Sequence, residues 1–402
     1  MNRVYPPVRG ATGRVLKDLA RTLAREGWHV TVITSGSRAG EERAEGVRII
    51  WVKGPEKPKN IISYMWVWLK MFFVAMRLKP RHLLVTMTDP PLLATAGAFI
   101  AKYKKSRHIN WCQDMYPEVM PALQMRIPNF LMRWFTALRR HAMNGCDVVV
   151  VNGRCMVKYL EDDGVDMQKI AMIPNWPDVE LTDPQALEVT GTPYQHADET
   201  MVRPFDKQIK SDRRFRVLYA GNIGRVHTVE TILNAAEILE KEQSDIEFVF
   251  VGKGQKFDRV AEQRAKRGID NIRLLPPQPL SRLREMMESG DVHLISLKDK
   301  AEGFVVPSKL YSALAVARPC IFVGPKNCET AQVINDFQAG AVLANGDAKG
   351  LAQAITDLRQ NSDLWIAAHQ GAMQAREIYT PKAAMDAWML CAWETVKDDL
   401  AA

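Results

Sequence analysis

Short β-branched runs alternate with amphipathic helical windows along most of the chain, and the alternation breaks once before starting again. The first series has strand-like runs at Val30–Thr34, Val47–Trp51, His82–Met87, His108–Cys112 and Asp147–Val151. Helical windows at Arg14–Glu26, Ile61–Leu78, Leu92–Lys104 and Asn129–Asn144 lie before or between them. The second has strands at Arg216–Ala220, Ile246–Val251, Ile272–Leu275, Val292–Leu297 and Cys320–Val323. Its helices fall at Val226–Glu242, Phe257–Lys266, Leu280–Ser289, Lys309–Val316, Ala331–Asp336 and Lys349–Gln360. Val- and Ile-rich strands separated by helices predict mostly parallel sheets covered on both faces. The fold class is therefore α/β, with two doubly wound Rossmann-like bodies facing each other across a cleft. Ligands of such sheets bind outside the carboxyl ends of the strands, so that cleft is the expected site.

The break is a polar stretch without clear period. It divides the chain into a first domain at 1–183, a linker or loop at 184–214, a second domain at 215–378 and a C-terminal helix at 379–402, expected to pack back across both lobes. A length of 402 residues gives each domain enough chain for its own core. Only a stub, Met1–Tyr5, stands where a leading strand is expected: either the first sheet opens with a very short strand or the start of the chain is missing.

Composition narrows the class. Hydrophobic residues at 47% and charged residues at 25% suit a soluble globular chain. The six cysteines show no C-x-x-C pair or zinc-like spacing, which favours a reducing compartment over a disulfide framework. The N-terminus has no apolar core of a signal peptide, so a cytoplasmic location is expected. A net charge of +8 is compatible with nucleic acid, anionic lipid or phosphorylated ligands. Nucleic-acid binding calls for aromatics interleaved with Lys and Arg. Here the aromatics sit in apolar runs instead, and no nucleic-acid partner is expected.

Ile61–Leu78 is nearly unbroken apolar sequence. As a helix it reaches about 27 Å, short of a bilayer core of about 30 Å. Lys70 lies near its middle, where a charge costs about 3 kcal/mol. A buried or half-buried helix, an interfacial helix on a membrane and a span all remain open. Aromatic residues with basic flanks at Arg77, Lys79 and Arg81 suit the headgroup boundary.

Several loops could carry chemistry. Gly10–Gly13 and Gly221–Arg225 feed helix N-termini with glycine, and exposed amides there make anion sites or plain strand-to-helix turns. Neither is a G-x-G-x-x-G or Walker loop, and no cofactor is implied. Gly252-Lys253-Gly254 ends another strand on the same edge. Glu302 lies in a loop before a helix whose start is Ser308, placed to cap, and Lys309, placed to bring an ammonium near the cleft. Asp114 follows a strand, as a catalytic acid or as a turn residue. Metal ligands are not evident: there is no H-x-x-x-H and no Asp-x-Asp after an apolar strand.

Together these stretches resemble glycosyltransferase family 4, the retaining group with the GT-B fold, in its branch for O-antigen, capsule and colanic-acid-type polysaccharides. The similar segments are Tyr5–Gly13, the "sPP" segment Leu84–Leu93, Trp111–Pro117 ("QDlyP"), Ile173–Asn175 ("IPN"), Leu218–Arg225 ("YaGniG"), Pro307–Tyr311 ("PSKlY") and Asn327–Glu329 ("sE"), in the family's order. The resemblance implies a nucleotide diphosphate sugar held mainly by the second lobe. Gly10 and Gly13 contribute from the first lobe, Gly221, Asn222, Arg225, Ser308 and Lys309 near the diphosphate, Gly254 nearer the base and Glu329 beside the phosphates. It places Asp114 and Glu302 at the catalytic site, with no metal. It also implies a lipid-linked (polyprenyl diphosphate) saccharide acceptor, and Ile61–Leu78 would be a peripheral contact with the inner face of the cell membrane. A nucleotide-sugar 2-epimerase shares the fold and is the alternative. Three positions depart from the family pattern: Ser312 replaces a second Glu, Asn222 an Arg, and His227 a Gln.

Overall fold

The computed structural model describes residues 1–7, 10–56, 58, 60–182, 215–242 and 245–401. The expected linker at 184–214 lies outside the described residues. The first lobe runs α1 (Ala11–Arg25), β1 (Thr31–Gly36), β2 (Gly40–Ala44), β3 (Val47–Lys53), α2 (Ile61–Arg77), β4 (Leu83–Thr86), α3 (Leu93–Lys104), β5 (Arg107–Cys112), α4 (Asn129–Asn144), β6 (Val148–Val151), α5 (Arg154–Asp162) and β7 (Ile170–Met172). The second begins with β8 (Phe215–Ala220), α6 (Glu230–Glu242), β9 (Ile246–Val251), α7 (Gln255–Arg267), β10 (Ile272–Leu275), α8 (Leu283–Glu288) and β11 (Val292–Ser296). It continues with α9 (Lys309–Ala315), β12 (Cys320–Val323), α10 (Glu329–Asp336), β13 (Gly340–Leu343), α11 (Ala348–Gln360) and α12 (Ser362–Ile378), and α13 (Pro381–Ala401) closes the chain.

The second sheet is parallel throughout, in the order β10-β9-β8-β11-β12-β13. Numbered from its own first strand this is 3-2-1-4-5-6, the doubly wound order whose switch point lies between β8 and β11. All six residues of β9, IEFVFV, are buried, as a strand covered on both faces requires. Its one charge, Glu247, is neutralised inside the fold by Arg216 at 2.7 Å and Arg273 at 3.0 Å.

The opening stub stands in for the leading strand of the first lobe. Formal strands there make two sheets, β1-β3-β2 and β4-β5-β6-β7. Residues 1–3 lie between them: the Asn2 amide donates to the Ile33 carbonyl, while Met87 donates to the Met1 carbonyl and Arg3 to Asp89. Those bonds advance in the same direction along both neighbours, so a three-residue parallel segment stitches the two sheets into one surface. β2, an exposed antiparallel edge of sequence GEERA, is an addition to the expected elements, as are α5, β13 and α12.

The C-terminal segment touches both lobes: the Tyr379 ring lies 5.4 Å from that of Tyr311 in the second, while Ala384, Met385 and Trp388 of α13 join the core of the first, with the Trp388 ring 4.5 Å from that of Trp111. Helix α2 is half-buried, one of the readings left open by its sequence. Val67, Met71 and Ala75 seal one stripe against the sheet, while Ile61, Ile62, Met65, Trp66 and Phe73 are exposed. Among the described residues no helix is long and apolar enough to cross a membrane.

Candidate active site

The carboxyl edges of the two sheets are joined by backbone. Asp114, two residues beyond β5, forms an antiparallel bridge with Val305, and the Met115 amide donates to the Phe304 carbonyl at 2.8 Å. The loop carrying Asp114 is thereby tied to the loop carrying Glu302 and leading into Lys309. Val119 and Ala122 of the first lobe pack into the core beneath β11 and β12.

The turns after β8 and β9 follow from three glycines. At Gly221 φ is +105°, and its amide donates to the Val251 carbonyl at 2.8 Å. Gly252 has φ +157°, and a Cβ there would stand 2.1 Å from the Gly221 oxygen. Gly254 has φ +128°, and a Cβ would stand 2.5 Å from Asn222 Oδ1 and 2.6 Å from the Ile223 oxygen. The turns after β8 and β9 therefore touch backbone to backbone at the switch point, which no side chain would allow. Gly254→Ala is expected to cost about 1–3 kcal/mol in backbone strain alone. Calorimetry should show an unfolding temperature lower by several degrees, and nucleotide titration a weakened affinity.

Lys309 opens α9 and reaches back over this turn. Its Nζ donates to the Asn222 carbonyl at 2.8 Å, lies 3.2 Å from His227 Nε2 and sits 5.3 Å from the Tyr219 ring centroid. Burial pulls its pKa down to about 7. His227 is itself buried, and burial, then Lys309, pull its pKa down to about 3. The imidazole is thus neutral: its Nδ1, 2.6 Å from the Ser296 carbonyl, carries the proton, and its Nε2 accepts from Lys309. The replacement of Gln by His at 227 supplies the lysine with an acceptor. Sequence reasoning noted the replacement and missed that role.

Asp114 is half-buried, and burial, with a smaller contribution from Asp89, raises its carboxyl to about 6. Next to it, Gln113 and Asn175 exchange amide hydrogen bonds of 2.9 Å in both directions, and Asn152 donates to Gln113 at 3.4 Å. These buried amides follow β5, β7 and β6 and lock the carboxyl ends of the three strands together. The "QD" and "IPN" segments are explained by that network.

Other expected residues have different surroundings. Ser308 makes no side-chain cap, because its own backbone is already helical, at φ −64° and ψ −14°. The buried Glu329 carboxylate accepts from the Arg154 amide at 2.6 Å and from Arg154 Nε at 3.1 Å, so it clasps the first lobe and is not open to a ligand. Arg225 donates to Gln255 at 2.6 Å and lies 3.5 Å from the Leu123 carbonyl across the cleft. Gly13 is buried against the stub, where a Cβ would meet Val4 Cγ1 at 2.9 Å, and Gly10 is an exposed N-cap 3.0 Å from the same atom by that measure. Close helix packing accounts for Gly13. Glu302 is half-buried beside the cleft-side loop. Among the described residues no group of His, Cys, Asp or Glu could hold a metal ion.

Two family models fall one on each lobe. The glycosyl transferase 4-like domain matches residues 10–176, and glycosyl transferases group 1 matches residues 203–376. The chain belongs to the GT-B glycosyltransferases. A relative from Escherichia coli K12, the putative colanic acid biosynthesis glycosyl transferase WcaI, is 25% identical over 89% of this chain and 92% of its own. The fold is shared with WaaG, a glycosyltransferase involved in lipopolysaccharide biosynthesis, at TM-score 0.68 and 16% identity over 96% of this chain and 97% of that one. Anabaena HepE in complex with UDP-glucose superposes at 0.68 and 12% identity over 97% and 98%. The enzyme acts in polysaccharide synthesis. The models and relatives named are glycosyltransferases, and the epimerase alternative finds no support in them.

Proposed function

We propose that this glycosyltransferase moves a sugar from a nucleotide diphosphate sugar to a lipid-linked (polyprenyl diphosphate) saccharide, with retention of anomeric configuration, at the inner face of the cell membrane. The observation that carries the donor half is the glycine turn at the switch point with Lys309 drawn over it. Backbone amides and one ammonium suit a diphosphate without a divalent ion. HepE, with UDP-glucose in its complex, supports a nucleotide sugar as the ligand class. Of the residues expected near the donor, Gly221, Asn222, Gly254 and Lys309 remain assigned to it, with Gly10, Arg225 and Ser308 at its margin.

In the proposed reaction the acceptor hydroxyl oxygen bonds to the anomeric carbon as the bond to the diphosphate oxygen breaks. The diphosphate leaves with the electron pair and takes the hydroxyl proton on the same face. Asp114, on the first-lobe side of the cleft, accepts a hydrogen bond from that hydroxyl and orients it; Glu302 lies in the second-lobe loop that bridges to Asp114 through Val305. Incubation of candidate donors with a polyprenyl-diphosphate saccharide, read by NMR of the product's anomeric proton, should show the donor's configuration kept. Inversion would overturn the retaining assignment.

The membrane half rests on α2. Ile61, Ile62, Trp66 and Phe73 are 65, 68, 60 and 54% exposed, and the aromatic surface continues through the Phe72–Phe99 contact to Phe99 and Tyr103 of α3. Lys70 lies over the Trp66 ring at 5.4 Å. An exposed apolar face with basic flanks suits an anionic headgroup layer. Trp66→Ser combined with Phe73→Ser removes side chains worth about 1.5–3 kcal/mol each when buried in lipid. Sedimentation with anionic liposomes should fall more than tenfold while the unfolding temperature holds. Unchanged sedimentation would count against membrane contact.

A further inference from the structure

A second cluster at the carboxyl edge of the first sheet is not used by the donor side. Arg3 donates from Nε and Nη2 to both carboxylate oxygens of Asp89, each at 2.7 Å, and its guanidinium lies 5.6 Å from the Tyr64 ring centroid. Asp89 follows β4, Tyr64 comes from α2, and Asp114 and Tyr116 follow β5. Four chain segments thus converge. Asp114 and Tyr116 line one small cavity with Thr88, the residue before Asp89, and the Tyr116 phenol is raised by burial and then by Asp114, Asp89 and Tyr64. Tyr64, Asp89, Asp114 and Tyr116 are all half-buried. Among the described residues the Tyr64 and Tyr116 hydroxyls and the Asp114 carboxylate have no protein hydrogen-bond partner.

We propose that Tyr64, Asp89 and Tyr116 form a saccharide subsite that holds the acceptor's sugar ring against Asp114. The charge of the cluster selects the ligand. Two carboxylates face one cation, and that cation is already bound to Asp89, so a phosphate group is repelled while sugar hydroxyls find strong acceptors. Two phenol rings offer an apolar face for the ring's C–H side and a hydroxyl for its oxygens. Arg3 is the positioning residue: its two hydrogen bonds fix the Asp89 carboxylate. Tyr64 also links the subsite to α2, whose neighbouring Met65 and Trp66 are exposed, which places the acceptor sugar at the edge nearest the proposed membrane face.

This assignment rests on the transferase reading, and the test separates the two. Octyl glycosides of common hexoses serve as soluble acceptor probes, with saturation-transfer NMR on their ring protons in the presence of UDP. At least one glycoside should bind the wild-type protein. Tyr64→Ala and Asp89→Asn should each weaken it about tenfold or more, the scale of one lost charge-assisted hydrogen bond, with UDP affinity unchanged. Lys309→Ala should show the opposite: weakened UDP and retained glycoside. No bound glycoside, equal glycoside affinity in both variants, or a parallel fall in UDP affinity would overturn the subsite. Loss of UDP binding by the wild-type protein would instead overturn the transferase reading itself. Tyr64→Phe, which keeps the ring, should recover most of the affinity lost in Tyr64→Ala; no recovery would point to misfolding of α2.

Discussion

Asp114→Asn should reduce sugar transfer by about a hundredfold or more, leave nucleotide affinity nearly intact and raise the unfolding temperature at neutral pH. The first two outcomes follow from the proposed role: the amide keeps the size of the side chain but weakens its acceptor oxygen. The third follows from linkage. Burial and Asp89 hold the folded carboxyl at about 6 against an ordinary value of 3.8. A folded pKa raised in this way contributes stability below pH 3.8, and that stability is lost as the pH climbs to about 6. At pH 7 the ionised carboxylate is therefore a cost, with an upper bound of about 3 kcal/mol that solvent screening reduces at a half-buried site. An asparagine removes it. Thermal unfolding at pH 7 and pH 4 is the check: the variant should gain at pH 7 and gain nothing at pH 4. Turnover should also carry an acid limb near pH 6 in the wild-type enzyme. Full turnover by the variant would remove Asp114 from the reaction, and stability equal to wild type at pH 7 would show a carboxyl in water-like surroundings.

The strands of both lobes were legible because β6, β9 and β11 are rich in β-branched residues and these strands, with β5 and β8, are buried along nearly their whole length. Legibility failed where the physical signal is not hydrophobic. β2 contains no side chain larger than alanine that is apolar, and it is held by backbone pairing to β3 and by Arg48–Glu41 and Trp51–Glu42 contacts. Beyond Trp365, the inner stripe of α12 is Ala368, Gly371, Ala372 and Ala375, small residues that permit close approach: a Cβ on Gly371 would stand 2.0 Å from the Phe337 oxygen. A search for large apolar residues at helical spacing passes over such a stripe. At the site, glycine-rich turns and the Asp114 and Lys309 loops could be found locally. The clasp of Glu329 by Arg154 joins residues 175 apart and has no local signature. Nor does the convergence of Arg3, Tyr64, Asp89 and Tyr116, which lie on separate segments. Ser308 misled for the reverse reason: its type suits a cap, and its backbone has already entered the helix.

Lys309→Ala should weaken binding of a nucleoside diphosphate ten- to a hundredfold, corresponding to about 1.5–3 kcal/mol for a hydrogen bond to a charged group, and leave the nucleoside nearly unaffected. The pH dependence makes this result specific to the ammonium. Burial brings Lys309 to about 7 before any ligand arrives, and neutral His227 offers it a lone pair without a countercharge. An arriving diphosphate supplies the missing negative charge and raises that pKa again, so binding takes up a proton when the solution is above pH 7. Affinity should accordingly fall between pH 7 and pH 9 in the wild-type enzyme and stay flat in the variant. Isothermal titration in two buffers of different ionisation enthalpy reads the proton uptake directly. For stability the sign is opposite to that of Asp114. A lysine whose folded pKa lies below its ordinary value of 10.5 costs stability at neutral pH, and the cost fades as the pH rises towards 10.5. Lys309→Ala should then unfold at a higher temperature than wild type at pH 7, even as it loses its ligand. Equal losses for nucleoside and diphosphate, or a wild-type affinity independent of pH, would take the phosphate away from Lys309 and leave the glycine turn to hold it alone.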